Sequence, residues 1–433
     1  MKKINLLFDA SRLASNYSKD SGRAGIFFVA YNLLEQFTRQ GTFNISLYVR
    51  RDRAFALTKM KCDPFLSQFV FITLQEKQYI LSAIAMYKKQ LHETKNILKL
   101  AICFFKLTKN YIHIFFYHLL NNTNRRKLEN IDAFFSPANA IIDEIKNVKH
   151  IKRFIVLHDA IPLIFPDSSA DWYNDRFIPS IDTETYCFCV SENTKCDFLQ
   201  YIPNRFDKMK MIVTPAASSQ KFIPNTDKNQ LQIILNKYGV TDNRAYILSL
   251  CSFNPHKNLI FTIECFMRFI KKHRIHDLYF YLCGGMNNHV FIAKLAECIK
   301  NFADYRDKIL LLGYIDDADV NVIYSNALFF TFISKYEGFG TPPLEAMMAG
   351  TPVITSNNSS LPEVVGDAAI TIDCESYEQC IKAFEDLYFN KDLRRKYSMK
   401  GQERAKLFSW EKTAKLMTET ILAVTKQESK QSY

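Results

Sequence analysis

Glu337 and Glu345 stand eight positions apart in EGFGTPPLEAMMAGTPVITSN, with Gly338, Gly340 and a Pro-Pro pair between them. TPVITSN has strand composition, so the residues before it form a short helix stopped at Gly350, with Thr341 as N-cap and Pro342 at the first helical position. Gly338 and Gly340 then precede a helix N-terminus, whose free N–H groups and positive dipole end suit a phosphate. Glu345, one turn in, is placed to accept both hydroxyls of a ribose, and Glu337, before the turn, to bond a sugar. Alone, each residue reads as a cap or a surface loop; together they are specific. The serine-rich loop 357–360 is expected to close over the same pocket.

The elements that must hold this pocket are βα units. Short apolar runs alternate with helical patterns nearly throughout, the mark of parallel sheets. INLLFDA (4–10), ISLYV (45–49), AFFSPA (133–138), RFIVLHD (153–159), CFCVS (187–191) and MKMIVTP (209–215) read as strands of a first lobe. AYILSLCS (245–252), LYFYLCGG (278–285), KILLLGYI (308–315), ALFFTFI (327–333) and TPVITSN (351–357) read as strands of a second. Between them PAASSQKFIPNTDKNQ, polar with two prolines, reads as a linker.

The stretch 77–130 breaks the alternation. It is helical in period, and Lys99, Lys106 and Lys109 interrupt its apolar centre, so it fits a bilayer span poorly. Two readings stay open. A polar stripe through Lys99, Lys106, Asn110 and His113 opposite a broad Ile/Leu/Phe face could lie in a membrane interface. An inserted helical hairpin packed on the first lobe explains the apolar face equally well.

Composition narrows the class. A chain of 433 residues, 48% hydrophobic, exceeds one ordinary core and implies two domains. A net charge of +12 favours an anionic partner: a nucleotide diphosphate, an acidic membrane leaflet or nucleic acid. No nucleic-acid-binding motif accompanies the charge, so that reading ranks last and no nucleic-acid partner is expected. Eleven cysteines without zinc or redox spacing point to reduced thiols and a cytoplasmic protein. The apolar run in MKKINLLFDASRLA is cut at Asp9, too short for a signal-peptide core and better read as a first strand.

EGFGTPPLEAMMAGTPVITSNNSSLPEVVGDAA resembles the C-terminal signature of the retaining family-four glycosyltransferases, group 1, of the GT-B fold. LSLCSFNPHKNL (248–259) is similar to the family's P-R-K-N segment, LHDAIP (157–162) to H-D-x-x-P, and VSENTKCDFL (190–199) to V-S-x-x-T-K. VTPAASSQKF (213–222) is similar to the strand before the linker, and FDASRL with SGRAGIFFVAYNLL to the glycine loop and first helix. The resemblance implies an α/β chain with two Rossmann-like parallel-sheet domains facing a central cleft. An acceptor-binding domain would span 1–222, with the helical insertion at 77–130. A linker at 223–243 and a nucleotide-sugar-binding domain at 244–408 would follow. The helix at 409–433 could cross back to the first domain.

By that resemblance Glu337 contacts the donor sugar, and the backbone of Gly338, Phe339, Gly340 and Thr341 holds the diphosphate. Glu345 binds the ribose, Lys257 neutralises the diphosphate, and His158 orients the transferred sugar. Asp159 caps or braces its loop. Gly25 and Arg23 face the donor phosphates from the first lobe. The sequence departs from the pattern where His256 replaces an arginine and Cys251 stands where relatives often carry another. One expected cation is missing, and Lys257 would act with His256, with Arg23 or with helix dipoles.

The implied reaction is retaining hexosyl transfer from a nucleotide diphosphate sugar, without metal or other cofactor. GDP-mannose and UDP-hexoses are the first donors to try. The acceptor would be a saccharide or lipid-linked oligosaccharide at the inner face of the cytoplasmic membrane, in cell-surface polysaccharide synthesis. Paired carboxylates also suit glycoside hydrolysis, but a phosphate cradle implies an activated donor. The competing class is a GT-B-like binding or scaffolding protein without transfer.

Overall fold

Leu6, Leu7 and Phe8 are fully buried in succession, and a strand hidden on both faces belongs at the centre of a parallel sheet. A computed structural model of the chain places them there. It describes residues 3–17, 25–74, 76–93, 97–115, 117–165, 172–241, 244–286 and 288–427.

The N-terminal lobe is a seven-stranded parallel sheet of order β3-β2-β1-β4-β5-β6-β7. Its strands are β1 (Ile4–Asp9), β2 (Phe43–Tyr48), β3 (Val70–Ile72), β4 (Ala133–Ser136), β5 (Lys152–Leu157), β6 (Thr185–Cys189) and β7 (Met211–Val213). The C-terminal lobe is a six-stranded parallel sheet of order β10-β9-β8-β11-β12-β13. It contains β8 (Ala245–Leu250), β9 (Leu278–Cys283), β10 (Ile309–Gly313), β11 (Phe330–Phe332), β12 (Val353–Ser356) and β13 (Ile370–Ile372). In each sheet the order reverses at a central pair, β1/β4 and β8/β11, where ligands of such folds bind beyond the strands' carboxyl ends. β3 and β13 have no counterpart in the sequence reading. Both are three-residue edge strands, too short to show a period.

The stretch expected as a linker holds structure of its own. Helix Lys228–Lys237 is N-capped by Asp227 and buries Leu231, Ile234 and Leu235. Lys237 Nζ and Tyr238 Oη both donate to Asp319 of the C-terminal lobe, at 3.1 and 2.9 Å. Helix Trp410–Gln427 returns to the N-terminal lobe and packs on helix Gly25–Gln40. Thr418 Oγ1 donates to Gln40 Oε1 there at 2.6 Å, and Thr413 Oγ1 to the Pro215 carbonyl at 2.6 Å.

The insertion between β3 and β4 forms helices Lys77–Glu93, Ile97–Phe115 and Tyr117–Leu128, the first two paired as a hairpin. Lys106 lies 5.4 Å from the Tyr87 ring and Lys88 5.5 Å from Tyr111. Lys99 and Lys106 are exposed and Asn110 is half-buried; the His113 side chain lies outside the described residues. Among the described residues no helix is long and apolar enough to cross a membrane. All eleven cysteines are free.

Candidate active site

β8 ends at Leu250, and a 3-10 turn, Pro255–Lys257, carries the chain into helix Leu259–His273. Asn258 takes the left-handed conformation, φ 56°, and anchors the turn by donating from Nδ2 to the Cys374 carbonyl at 2.8 Å. The turn aims Lys257 at the chain segment beyond β11. Lys257 Nζ donates to Glu337 Oε1 at 2.6 Å and Oε2 at 2.9 Å. The two side chains are only 12% and 10% exposed, so each charge depends on the other for compensation.

Three serines fix the backbone around Glu337. Its N–H donates to Ser359 Oγ at 3.0 Å, and Ser360 Oγ lies within bonding distance of the Glu337 and Phe339 carbonyls, at 2.9 and 2.8 Å. Ser356 Oγ donates to the Ser334 carbonyl at 2.6 Å. The loop 357–360 therefore braces the 337–339 turn, where the sequence suggested a cover. Hydroxyls serve here because they satisfy buried carbonyls that no strand partner reaches.

Gly338 is required by sterics. A Cβ there would lie 1.9 Å from the His158 carbonyl oxygen of the other lobe. Its own carbonyl is approached by Ser191 Oγ at 2.8 Å and Thr194 Oγ1 at 3.0 Å. Phe339 is buried and meets the Phe408 ring at 5.7 Å, so its side chain belongs to the core. Gly340, at φ +116°, is the N-cap of helix Thr341–Met348, with a proline within its first two positions. The expected cap, Thr341, is instead the first helical residue: the positive φ that redirects the chain falls on glycine, which has no Cβ to clash.

Glu345 is half-buried one turn into that helix. Ser218 Oγ donates to its Oε1 at 3.0 Å and Tyr324 Oη to its Oε2 at 3.3 Å. Burial raises its pKa to about 7, against the opposing pull of both hydroxyls and of Lys221.

His158 follows β5. Its Nε2 lies 2.6 Å from the Pro137 carbonyl, which only accepts, so Nε2 carries the proton and Nδ1 is left as acceptor. Burial, with Arg12 nearby, lowers its pKa to about 4. Asp159 accepts from the Ile161 N–H at 3.0 Å, the loop bracing expected of it. Burial holds its pKa up, and the charges of Glu337 and Lys257 both act on it, which brings this corner of the first lobe up to the Lys257–Glu337 pair.

The positions where arginine was expected hold no charge. Burial, aided by Lys257, lowers the His256 pKa to about 4, and its ring stacks with Phe165 at 6.2 Å. The buried Cys251 thiol is pushed up to about 12. Gly25 opens helix Gly25–Gln40 with open space where a Cβ would stand, so sterics do not demand glycine there. Arg23 lies outside the described residues.

Sequence reasoning missed the residues that join the lobes. Ser191 caps helix Glu192–Tyr201 by accepting from the Thr194 N–H at 3.0 Å. Glu363 accepts from the Glu192 and Asn193 N–H groups of that helix start, at 2.8 and 2.7 Å. Tyr336 donates to Asp197. The S-x-x-T spacing of Ser191 and Thr194 was the available signal, since it marks a helix start next to the cleft. Among the described residues no group of three or more His, Cys, Asp or Glu is placed to hold a metal ion.

Residues 232–404 match the family model for glycosyl transferases group 1. The C-terminal lobe is a group 1 glycosyltransferase domain. The chain is 29% identical over 263 residues to O-antigen chain mannosyltransferase B of Escherichia coli, covering 60% of this chain and 66% of that one. It is 23% identical over 286 residues to the serotype-specific mannosyltransferase WbdA of Escherichia coli, covering 64% and 34%. The chain thus spans about a third of WbdA and just under two thirds of mannosyltransferase B. Among solved structures, a glycosyltransferase from Rickettsia africae superposes with a TM-score of 0.64 at 14% identity, covering 97% of this chain and 98% of that one. Anabaena HepE, solved with UDP and glucose, gives 0.65 at 13%, covering 96% and 99%. At such identities the likeness is one of fold. The glycosyltransferase domain and its N-terminal partner form the GT-B arrangement of two Rossmann-like parallel-sheet domains.

Proposed function

We propose that the chain transfers a hexose, with mannose as first choice, from a nucleotide diphosphate sugar to a saccharide or lipid-linked acceptor, retaining the anomeric configuration. The reading rests on one observation above the others: Lys257 and Glu337 meet beside a glycine turn that opens a helix N-terminus. Mannosyltransferases among the relatives favour mannose and a role in cell-surface polysaccharide synthesis, and HepE, solved with UDP and glucose, supports a nucleotide-linked donor. No metal or other cofactor is assigned a part. The acceptor would meet the enzyme at the cytoplasmic face of the membrane.

In this reading the diphosphate sits against the N-terminus of helix Thr341–Met348 and Lys257, the ribose on Glu345, and the sugar between Glu337 and Nδ1 of His158. The anomeric C–O bond breaks with its electron pair leaving on the diphosphate. Lys257 and the helix dipole stabilise that charge. The acceptor hydroxyl forms the new bond on the face being vacated, and its proton leaves with the departing phosphate oxygen. His158, neutral with Nε2–H committed to Pro137, positions the sugar instead of shuttling protons.

The uncharged states of His256 and Cys251 favour a second reading, a GT-B protein that binds a nucleotide sugar without transferring it. Purified protein incubated with GDP-mannose or UDP-hexoses and a saccharide acceptor separates the two. Released nucleoside diphosphate with a product of unchanged anomeric coupling is the expected result. An inverted product overturns retention, and a donor-induced rise in melting temperature without turnover favours the binding protein.

A further inference from the structure

Most of the chain's net positive charge sits in a segment that the transfer chemistry does not use. Residues 77–128 carry ten lysines and arginines against one acidic residue, Glu93, a balance of +9 within a chain total of +12. In the same segment helix Ile97–Phe115 turns large apolar side chains outward. Phe105 is 72% exposed, Phe104 66%, Ile112 51%, Ile102 46% and Tyr111 44%. Cys103 is buried, and its Sγ lies 3.5 Å from Gln90 Oε1 of the neighbouring helix, which fixes the inward side.

At 3.6 residues per turn, Tyr111, Phe104, Ile112 and Phe105 fall within an arc of about 120°. Lys109, Lys106 and Lys99 continue from its edge around Ile102. Lys88, 5.5 Å from the Tyr111 ring, borders the opposite edge. Single exposed apolar residues are ordinary on a folded surface, but five on one side of a helix, rimmed by lysines, form a patch that asks for a partner.

We propose that this outer face of helix Ile97–Phe115 docks on an anionic phospholipid bilayer. Phe104 and Phe105 enter the boundary between headgroups and acyl chains, and Lys88, Lys99, Lys106 and Lys109 reach the lipid phosphates along their flexible stems. Charge selects this occupant. A second copy of the same face would set lysine rim against lysine rim, and a neutral bilayer would take the rings while giving the cations no counter-charge. The docking stands independently of glycosyl transfer.

The test is flotation of the full chain with phosphatidylcholine vesicles, with and without phosphatidylglycerol. Wild-type protein is expected to float with the anionic vesicles, to release as salt rises, and to stay behind with the neutral ones. The variant K99E/K106E/K109E should lose about a hundredfold in partitioning, and Phe104→Ser/Phe105→Ser about tenfold or more. Both should stay folded with a cooperative melt, because the substituted side chains are exposed, although Lys106 gives up its contact with the Tyr87 ring. Equal binding to the two vesicle types, or unchanged binding by both variants, overturns the proposal. A wild-type dimer in light scattering that Phe104→Ser/Phe105→Ser converts to monomer also overturns it and assigns the face to self-association.

Discussion

Lys257 and Glu337, eighty positions apart, form a two-point ion pair that neither lobe's solvent reaches freely. An anionic donor must enter beside a lysine already committed to a carboxylate. The pair thus sets both stability and phosphate affinity. Removing one partner strands a nearly buried charge, so Lys257→Met or Glu337→Gln should each cost about 3–5 kcal/mol. The double variant should recover much of that loss in a urea melt. Turnover should fall by about a hundredfold or more in all three. Near-normal turnover in either single variant would remove the pair from the site.

Glu345 gives a pH dependence with a definite sign. Its pKa is raised from 4.5 to about 7 in the folded protein, so the native state holds a proton that the unfolded chain has released. That contribution to stability is complete below about pH 4.5 and lost as pH rises through about 7. Glu345→Gln should flatten this part of the stability profile, by about 3 kcal/mol. Two ribose hydroxyls bond best to the carboxylate, so donor affinity should strengthen as pH rises through the same range. Isothermal titration of a nucleotide diphosphate at several pH values measures it, and a flat or opposite trend counts against Glu345 as ribose partner.

Gly338→Ala should separate the lobes locally, because its Cβ would meet the His158 carbonyl at 1.9 Å. The loss should be about 1–3 kcal/mol, with a larger radius of gyration in small-angle scattering. Glu363→Ala removes a helix cap that crosses the lobes and should cost about 0.5–2 kcal/mol. An unchanged scattering curve for Gly338→Ala would show that the contact does not hold the cleft shut.

His158 should leave no mark on the pH–rate profile above about pH 5, since burial keeps it neutral. His158→Ala should lower turnover while preserving the profile's shape. A lost limb near neutral pH would restore His158 as a proton carrier.

The sequence carried the periodic parts of this molecule and the densest part of its site. Among the described residues, eleven of thirteen strands declare themselves as apolar runs, and the missing two, β3 and β13, are three-residue edges. Helix Lys228–Lys237 hid inside a polar linker because only Leu231, Ile234 and Leu235 form its buried side. Glu337 and Glu345 were legible because a turn and a helix start constrain their spacing, and Lys257 because its segment resembles P-R-K-N. The bonds from Ser191, Thr194, Glu363 and Ser218 were not, since each joins residues more than a hundred positions apart. Nor could spacing reveal that burial lowers the His256 pKa, which depends on what packs around it.

The chain passes between the lobes twice, once at 214–228 and again where helix Trp410–Gln427 lies on helix Gly25–Gln40. The two crossings lie side by side, Thr413 Oγ1 donating to the Pro215 carbonyl at 2.6 Å, so the lobes are joined by a doubled tether at one place. A single proteolytic cut in either crossing would leave the halves fastened by the other.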